Sequence, residues 1–174
     1  MAITYNSIQS TVLGTTSSPI TLSSIPASYT DLKLVFKWKS NGAGSTNCIP
    51  TIRANNDTAA NYNVTYMNAG ASGISGGNLS AKSRWWTTAG SATAGSTYWY
   101  SLEVDFMDYA STTRPKNVYT RLNMAGPGGN IESAYGYGIW SGVAAINRID
   151  IDDNIFGNSF VTGSWVALYG ITRA

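Results

Sequence analysis

The chain has 174 residues, which is enough for one domain with a substantial hydrophobic core. Charged residues make up only 11% of it, against roughly 25% in typical soluble domains, and the net charge of +2 is too small to predict a nucleic-acid partner. The absence of histidine excludes Ser-His-Asp triads, Cys-His pairs and the commonest zinc sites. The single cysteine, Cys48, excludes an intramolecular disulfide bond and is interpreted as a small buried hydrophobic residue.

Hydroxyl and amide side chains take the place of charge, since the chain contains 21 Ser, 19 Thr and 15 Asn beside 18 Gly. Such a surface is compatible with glycans or with other protein subunits as partners. The first residues lack the basic start and long apolar run of a secretory signal, and no segment approaches the ~18 apolar residues of a membrane span. We therefore expect a soluble chain made without Sec export and without a membrane partner.

In chain order, residues 1–18 are predicted to form a less regular arm that closes a sheet edge or reaches a neighbouring subunit. Residues 19–174 are predicted to form a single domain. Alternating apolar and polar residues predict strands along it. The predicted strands span residues 20–25, 32–38, 49–54, 62–67, 83–88, 98–107, 117–124, 135–140, 146–152 and 160–171.

The spacing of these segments is typical of an all-β fold, an antiparallel β-sandwich of jelly-roll type with about 8–10 strands. Long loops rich in glycine and serine are predicted at residues 68–80, 89–96 and 125–133. Because so little charge protects the sheet edges, we expect the edges to be covered in an oligomer. The predicted core faces carry Leu32, Leu34, Phe36 and Trp38 in one strand and Tyr98, Tyr100, Leu102, Val104 and Phe106 in another.

Two carboxylates offer the only candidate for hydrolysis. Glu103 and Asp105 share a strand face beside Trp99, and glycosidases use two acids that face one cleft. Nothing in the sequence raises the pKa of either acid, so a solvated strand face is the favoured interpretation. The chain is therefore predicted not to be an enzyme, and no cofactor is predicted because no phosphate-binding glycine motif is present.

A second acidic group consists of Asp150, Asp152 and Asp153, followed by Asn154. Oxygen-rich turns of this kind bind calcium in some proteins. The spacing departs from that of an EF-hand loop, which has a glycine and a closing glutamate that are absent here. Asp and Asn are also common at strand ends because they favour turns. The structural interpretation is favoured and calcium is kept as the alternative.

Aromatic residues are the remaining signal, with 6 Trp and 11 Tyr in the chain. Several tryptophans fall at strand positions opposite the presumed core face, where they would either be buried at a subunit interface or stack on a sugar. Interface burial is favoured. Neighbouring tryptophans must point to opposite faces of a strand, so at most one of the pair 85 and 86 enters a core. The candidates are Trp85, Trp86, Trp99, Trp140 and Trp165.

The end of the chain, F-x-x-G-S-W-V-A-L-Y-G-I at residues 160–171, resembles the closing strand of a loose group of tailed-bacteriophage virion proteins. Three further segments are similar to segments of that group and follow in the same order. They are I-T-L-S-S-I-P with Y-T-D-L at residues 20–32, R-A-N-N-D-T with N-Y at residues 53–62, and I-W-S-G-V-A-A-I-N-R-I at residues 139–149.

The resemblance implies a structural protein on the virion surface, assembled in the host cytoplasm. The shortness of the chain, which has no collagen-like or coiled-coil shaft, favours a capsid decoration protein that forms a homotrimer and contacts other virion components. The alternative is a tail-fibre or receptor-binding module whose Trp85, Trp99 and Trp140 stack on carbohydrate of the host surface.

Overall fold

The computed structural model describes residues 3–42, 49–70, 73–87, 98–125, 131–153 and 157–173. Strands make up the regular structure of these residues, and none of them belongs to a helix able to cross a membrane. In chain order the strands are β1 (Ile3–Val12), β2 (Ile20–Leu22), β3 (Asp31–Trp38), β4 (Thr51–Ala54), β5 (Tyr62–Gly70), β6 (Gly73–Lys82), β7 (Trp85–Trp86), β8 (Tyr100–Met107), β9 (Lys116–Ala125), β10 (Ile131–Trp140), β11 (Ile149–Asp152) and β12 (Trp165–Arg173).

The strands form two sheets. The larger sheet has the order β1-β12-β3-β8-β9-β10-β5-β6, and the smaller has the order β2-β11-β4-β7. All pairings are antiparallel, and the chain passes repeatedly from one sheet to the other, as in a jelly roll. The predicted fold class, an antiparallel β-sandwich, is confirmed. The described residues form twelve strands rather than the predicted 8–10.

Alternate residues of each strand build the core between the two sheets. On β3 the four predicted side chains are buried, and so is Asp31. On β8 the alternate burial begins at Tyr100, whereas the predicted Tyr98 is only half-buried. From the smaller sheet, Ile52, Ile149 and Ile151 are fully buried on the facing side. The alternation therefore identified the core face of the central strands correctly.

Two predictions about irregular segments are wrong. The arm at residues 1–18 contains a ten-residue strand, β1, which pairs with β12 and has one register shift between Ser7 and Gln9. It does lie at a sheet edge, as expected. The predicted loop at 68–80 is a hairpin in which β5 pairs with β6. Residues 43–48, with Cys48, the predicted loop at 89–96 and residues 126–130 of the third loop lie outside the described residues.

The segments that carry the family resemblance contact one another. Asn55, which has a left-handed φ of 52°, donates its amide to the carbonyl of Ala145 and accepts the backbone N–H of Asn147. A Cβ on Gly170 would overlap the ring of Tyr29, so glycine allows that ring to cover β12. These segments hold the strands and loops together, which is a structural role.

Asp57 belongs to the same set of contacts. Its carboxylate accepts hydrogen bonds from the indole N–H of Trp140 (2.6 Å), the amide of Asn61 (2.8 Å) and the backbone N–H of Ala59 (2.9 Å). Partial burial acts to raise the pKa of Asp57, but these hydrogen bonds outweigh it and hold the pKa below its ordinary value. A charged carboxylate thus ties the loop after β4 to the end of β10.

Candidate functional site

Two of the predicted surface tryptophans are core residues. Trp85 and Trp140 are 1% and 4% exposed, and both rings contact Tyr62. The prediction that both lie opposite the core face is wrong. Trp85 belongs to the smaller sheet but points at the larger one, where its ring contacts Phe106, and Trp140 shares the buried face of β10 with Ala134. Neither ring is accessible for stacking on a glycan.

The other three predicted tryptophans lie at two separate places. Trp86 points away from the core on the smaller sheet, as its neighbour Trp85 requires, and is half-buried opposite Thr51. Trp99 and Trp165 lie on the larger sheet on either side of Lys37, whose Nζ is 5.4 Å from the centre of the Trp99 ring. Trp99 is 43% exposed, whereas Trp165 is half-buried. The structure therefore does not bring the five candidates together into one site.

The predicted carboxylate pair is part of an ion-pair network on the outer face of the larger sheet. Lys33 Nζ is 2.8 Å from Glu103 and 3.3 Å from Asp105, and Arg121 is 3.3 and 3.2 Å from the same two carboxylates. The hydrogen bond from Lys33 lowers the pKa of Glu103 below its ordinary value. A glycosidase acid needs a raised pKa, so this geometry favours the solvated strand face over the hydrolase.

The acidic residues of β11 bind cationic and hydroxyl groups. Asp150 accepts hydrogen bonds from Arg148 (2.8 Å) and from the Thr21 hydroxyl (2.6 Å). Asp152 accepts one from the Ser18 hydroxyl (2.8 Å) and is 3.2 Å from Arg84 and 3.6 Å from Arg53. Within the part of the chain that the structure describes, no group of three or more acidic, Cys or His side chains is placed to hold a metal ion. Asn154 lies outside that part.

Asp153 differs from its neighbours because it is fully buried without a cation. Its Oδ2 accepts a hydrogen bond from the Ser40 hydroxyl (2.7 Å), whereas its Oδ1 has no hydrogen-bond partner. Burial, together with the charge of Asp152, raises the pKa of Asp153 to about 7. This carboxyl joins the end of β11 to the segment after β3.

The outer face of the larger sheet is where exposed apolar side chains collect. Ten of the eleven large hydrophobic side chains that the described residues expose point outward from this sheet or lie directly beside β8; the eleventh is Val143. A concentration on one face marks an interaction surface more often than scattered exposure does. The ten residues are Ile3, Tyr5, Val12, Met67, Ile74, Trp99, Tyr119, Ile131, Tyr135 and Tyr137.

We call the outward side of β9, β10, β5 and β6 the tyrosine face, after Tyr119, Tyr135 and Tyr137, which are 49%, 50% and 37% exposed. On β10, Tyr135 and Tyr137 alternate with Gly136 and Gly138, which face the core. A Cβ on Gly138 would lie 2.7 Å from the Trp85 ring, so the glycine lets β10 approach the core closely. This strand therefore carries its bulky side chains on the outside.

The tyrosine face is ordered by local contacts. Tyr119 and Tyr137 are directly opposite each other on β9 and β10, with ring centres 5.2 Å apart and planes tilted by 55°. The Tyr137 hydroxyl donates to the side chain of Asn117 at 2.7 Å. Two shallow depressions flank β10. One, of about 150 Å³, is lined by Asn63, Val64, Thr65, Asn78, Ser80, Tyr137 and Ile139, and the other, of about 100 Å³, by Ser101, Glu103, Arg121, Leu122, Asn123 and Tyr135.

Sequence reasoning missed this surface because it weighed tryptophan above tyrosine. The signal was the Tyr-Gly-Tyr-Gly alternation of residues 135–138, which places two tyrosines on one side of a strand and no side chain on the other. The contribution of β5 and β6 was not visible, because the glycine-rich segment 68–80 was interpreted as a loop.

Comparison with known proteins does not assign a family. No protein-family model matches the chain, and no curated protein matches it. Among solved structures, it is similar to the binding domain of botulinum neurotoxin DC in complex with SialylT, with 14% identity, a TM-score of 0.36 and coverage of 98% of this chain and 42% of that chain.

Two further structures are more distant. One is of botulinum neurotoxin type C, described as dependent upon interaction with two ganglioside molecules to enter cells (11% identity, 95% of this chain and 42% of that chain, TM-score 0.28). The other is a xylan β-1,4-xylosidase from Bacillus halodurans C-125 (6% identity, 83% and 28%, TM-score 0.26). The chain spans less than half the length of each structure. With TM-scores below 0.5, these similarities carry no argument about function.

Proposed function

We propose that this chain is a non-enzymatic structural protein of the outer surface of a tailed-phage virion, of the capsid decoration type, and that it assembles as a homotrimer. The observation that carries the proposal is the long, uncharged edge strand β1. The resemblance of the segments at residues 20–32, 53–62, 139–149 and 160–171 to virion proteins supports the location.

Strand β1 lies at one end of the larger sheet and contains neither a charged residue nor proline over its ten residues. Ile3, Tyr5 and Val12 on it are 60%, 56% and 68% exposed. The other end of the sheet, β6, contains a single charged residue, Lys82. Proteins that stay monomeric usually protect such edges with charge, proline or a covering segment. A neighbouring copy that pairs with β1 would complete its backbone hydrogen bonds in a closed assembly.

The test measures the mass of the purified chain by light scattering and the binding of the labelled chain to particles stripped of their surface proteins. The proposal expects a trimer that binds particles saturably. The double variant Thr4→Lys/Ser10→Lys places two charges at exposed positions of β1, and we expect it to be monomeric and to bind at least tenfold less.

The matched control is Thr112→Lys/Thr113→Lys, which adds the same charge in the exposed turn after β8 and should leave the trimer intact. A chain that is monomeric at all concentrations and does not bind particles would refute the proposal.

A second candidate function is a module that binds carbohydrate of the host surface. The observation that favours it is the tyrosine face, where exposed rings lie beside amide and hydroxyl side chains in two shallow depressions. Binding of the labelled chain to host cells instead of particles would support this candidate.

A further inference from the structure

We infer that the tyrosine face is a binding site for an uncharged oligosaccharide, with Tyr137 and Tyr135 as the stacking rings. The inference rests on the second candidate function and specifies its residues and its ligand class. It replaces the predicted tryptophan site, because Trp85 and Trp140 are buried in the core.

The geometry of the rings suits stacking on a sugar. Tyr135 and Tyr137 are two residues apart on β10 and point outward, which places them about 7 Å apart along the strand. The Tyr137 ring is held from two sides, by the Tyr119 ring at 5.2 Å and by the hydrogen bond to Asn117. A ring that is already ordered loses little conformational entropy when a sugar stacks on it.

The polar groups around each ring match the hydrogen-bonding needs of a sugar. The depression beside Tyr137 has the polar lining residues Asn63, Asn78, Thr65 and Ser80. The depression beside Tyr135 has Ser101 and Asn123, together with the ion pair of Glu103 and Arg121. Amides and hydroxyls both donate and accept hydrogen bonds, as sugar hydroxyls do. Depressions of about 150 and 100 Å³ are too small and open to enclose a drug-sized molecule, which needs ~300 Å³ or more. They suit sugar rings that lie flat on the sheet.

The charges near the tyrosine face favour a neutral ligand. The outward positions of β10, β5 and β6 carry no charged side chain among the described residues. On β9, Arg121 lies on the tyrosine face itself, directly opposite Tyr135. It is 3.3 Å from Glu103 and 3.2 Å from Asp105, and Lys33 pairs with the same carboxylates. The two positive and two negative charges of this network cancel. The face therefore offers no free cation to a sialic acid or uronic acid carboxylate, and we assign it to neutral sugars.

The experiment is a titration of the full chain, followed by NMR and calorimetry, with neutral trisaccharides of glucose, galactose, mannose and N-acetylglucosamine. Lactose and 3′-sialyllactose form a matched neutral and charged pair. We expect at least one neutral trisaccharide to bind saturably, and no acidic sugar to bind more tightly than its neutral counterpart. Tyr137→Ala should weaken that binding at least tenfold.

Three variants separate stacking on the Tyr137 ring from hydrogen bonding by its hydroxyl and from binding elsewhere on the sheet. Tyr137→Phe keeps the ring and loses only the hydroxyl, so we expect it to retain binding within about threefold. Val143→Ala shortens an exposed apolar side chain that belongs neither to β1 nor to the tyrosine face, and it should leave saccharide binding unchanged. Trp99→Ala tests the remaining exposed tryptophan. Thermal melting of each variant verifies that it is folded.

The inference is overturned if no neutral saccharide binds, if only acidic saccharides bind, or if Trp99→Ala abolishes binding while the folded Tyr137→Ala does not. Particle binding by the same samples separates this result from the proposed function. A trimer that binds particles but no saccharide would leave the decoration role standing and remove the glycan site.

Discussion

The outward sides of the two sheets differ in how their polar groups are used. On the smaller sheet, Asp150 and Asp152 are 1% and 10% exposed at their side chains, and arginine and hydroxyl groups bind both. On the larger sheet, the tyrosine face has exposed rings and amide and hydroxyl side chains, and its one charged residue, Arg121, is 52% exposed and pairs with Glu103, which is 44% exposed. The charges of the smaller sheet are therefore buried where they hold strands together, whereas those of the larger sheet are exposed to solvent beside aromatic and amide groups.

The physical reason lies in solvent exposure. Buried ion pairs stabilise the pairing of strands only when each charge keeps its partner, because an unpaired charge in a low-dielectric site raises the free energy of the folded state. An exposed tyrosine contributes little to stability and remains available to a ligand. Substitutions on the two sides should therefore separate stability from binding.

The largest effect is expected from the adjacent tryptophans at the smaller sheet. Trp85→Ala removes a ring that is 1% exposed and packs on Tyr62 and Phe106, so we expect a loss of about 3–5 kcal/mol in the free energy of unfolding. Trp86→Ala removes the half-buried ring on the outward side and should lose about 1 kcal/mol. Denaturant unfolding measures both. Equal losses would contradict the assignment of the two rings to opposite faces.

The next effect tests the role of charge on the smaller sheet. Asp152→Ala leaves Arg53 and Arg84 without their shared carboxylate, and we expect a loss of about 2 kcal/mol. Glu103→Ala is the matched control on the larger sheet. Its carboxylate is also shared between two cations but is 44% exposed, so its removal should lose less than about 1 kcal/mol. A larger loss from Glu103→Ala would reverse the comparison.

The dependence of the free energy of unfolding on pH tests the buried carboxyl at the end of β11. The pKa of Asp153 is about 7 in the folded chain and 3.8 in its unperturbed form, so the folded state keeps a proton that the unfolded state releases. The protonated carboxyl therefore adds to the free energy of unfolding below about pH 4. This contribution is lost as the pH rises to about 7, and the free energy of unfolding falls by up to ~1.4 kcal/mol per pH unit over that range. Asp153→Asn should remove that slope in denaturant unfolding. An unchanged slope would show that Asp153 is ionised when folded.

The smallest effect on stability is expected from the tyrosine face. Tyr119→Ala and Tyr137→Ala should each lose about 1 kcal/mol or less, because both rings are more than a third exposed. The same variants should lose saccharide binding. A loss above about 3 kcal/mol for either one would mean that the face is a structural cluster, and the contrast between the two sheets would disappear.

Ten of the twelve strands follow from the alternation of apolar and polar residues, and so does the core face of β3 and β8. The two missed strands lack this signal. Strand β1 has the sequence I-T-Y-N-S-I-Q-S-T-V, where the register shift at residue 8 interrupts the period, and β6 has the sequence G-I-S-G-G-N-L-S-A-K, where glycine and serine hide it. Both form because a neighbouring strand supplies hydrogen bonds, which local sequence does not record.

The candidate site was less predictable than the fold. That Trp85 and Trp86 point to opposite sides of a strand follows from the residues alone, because successive side chains alternate. Which of the two sides is covered depends on how the two sheets pack against each other. This packing buries Trp85 and Trp140 and leaves Tyr135 and Tyr137 exposed. The period of a strand is local, whereas the burial of its two faces is set by distant parts of the chain.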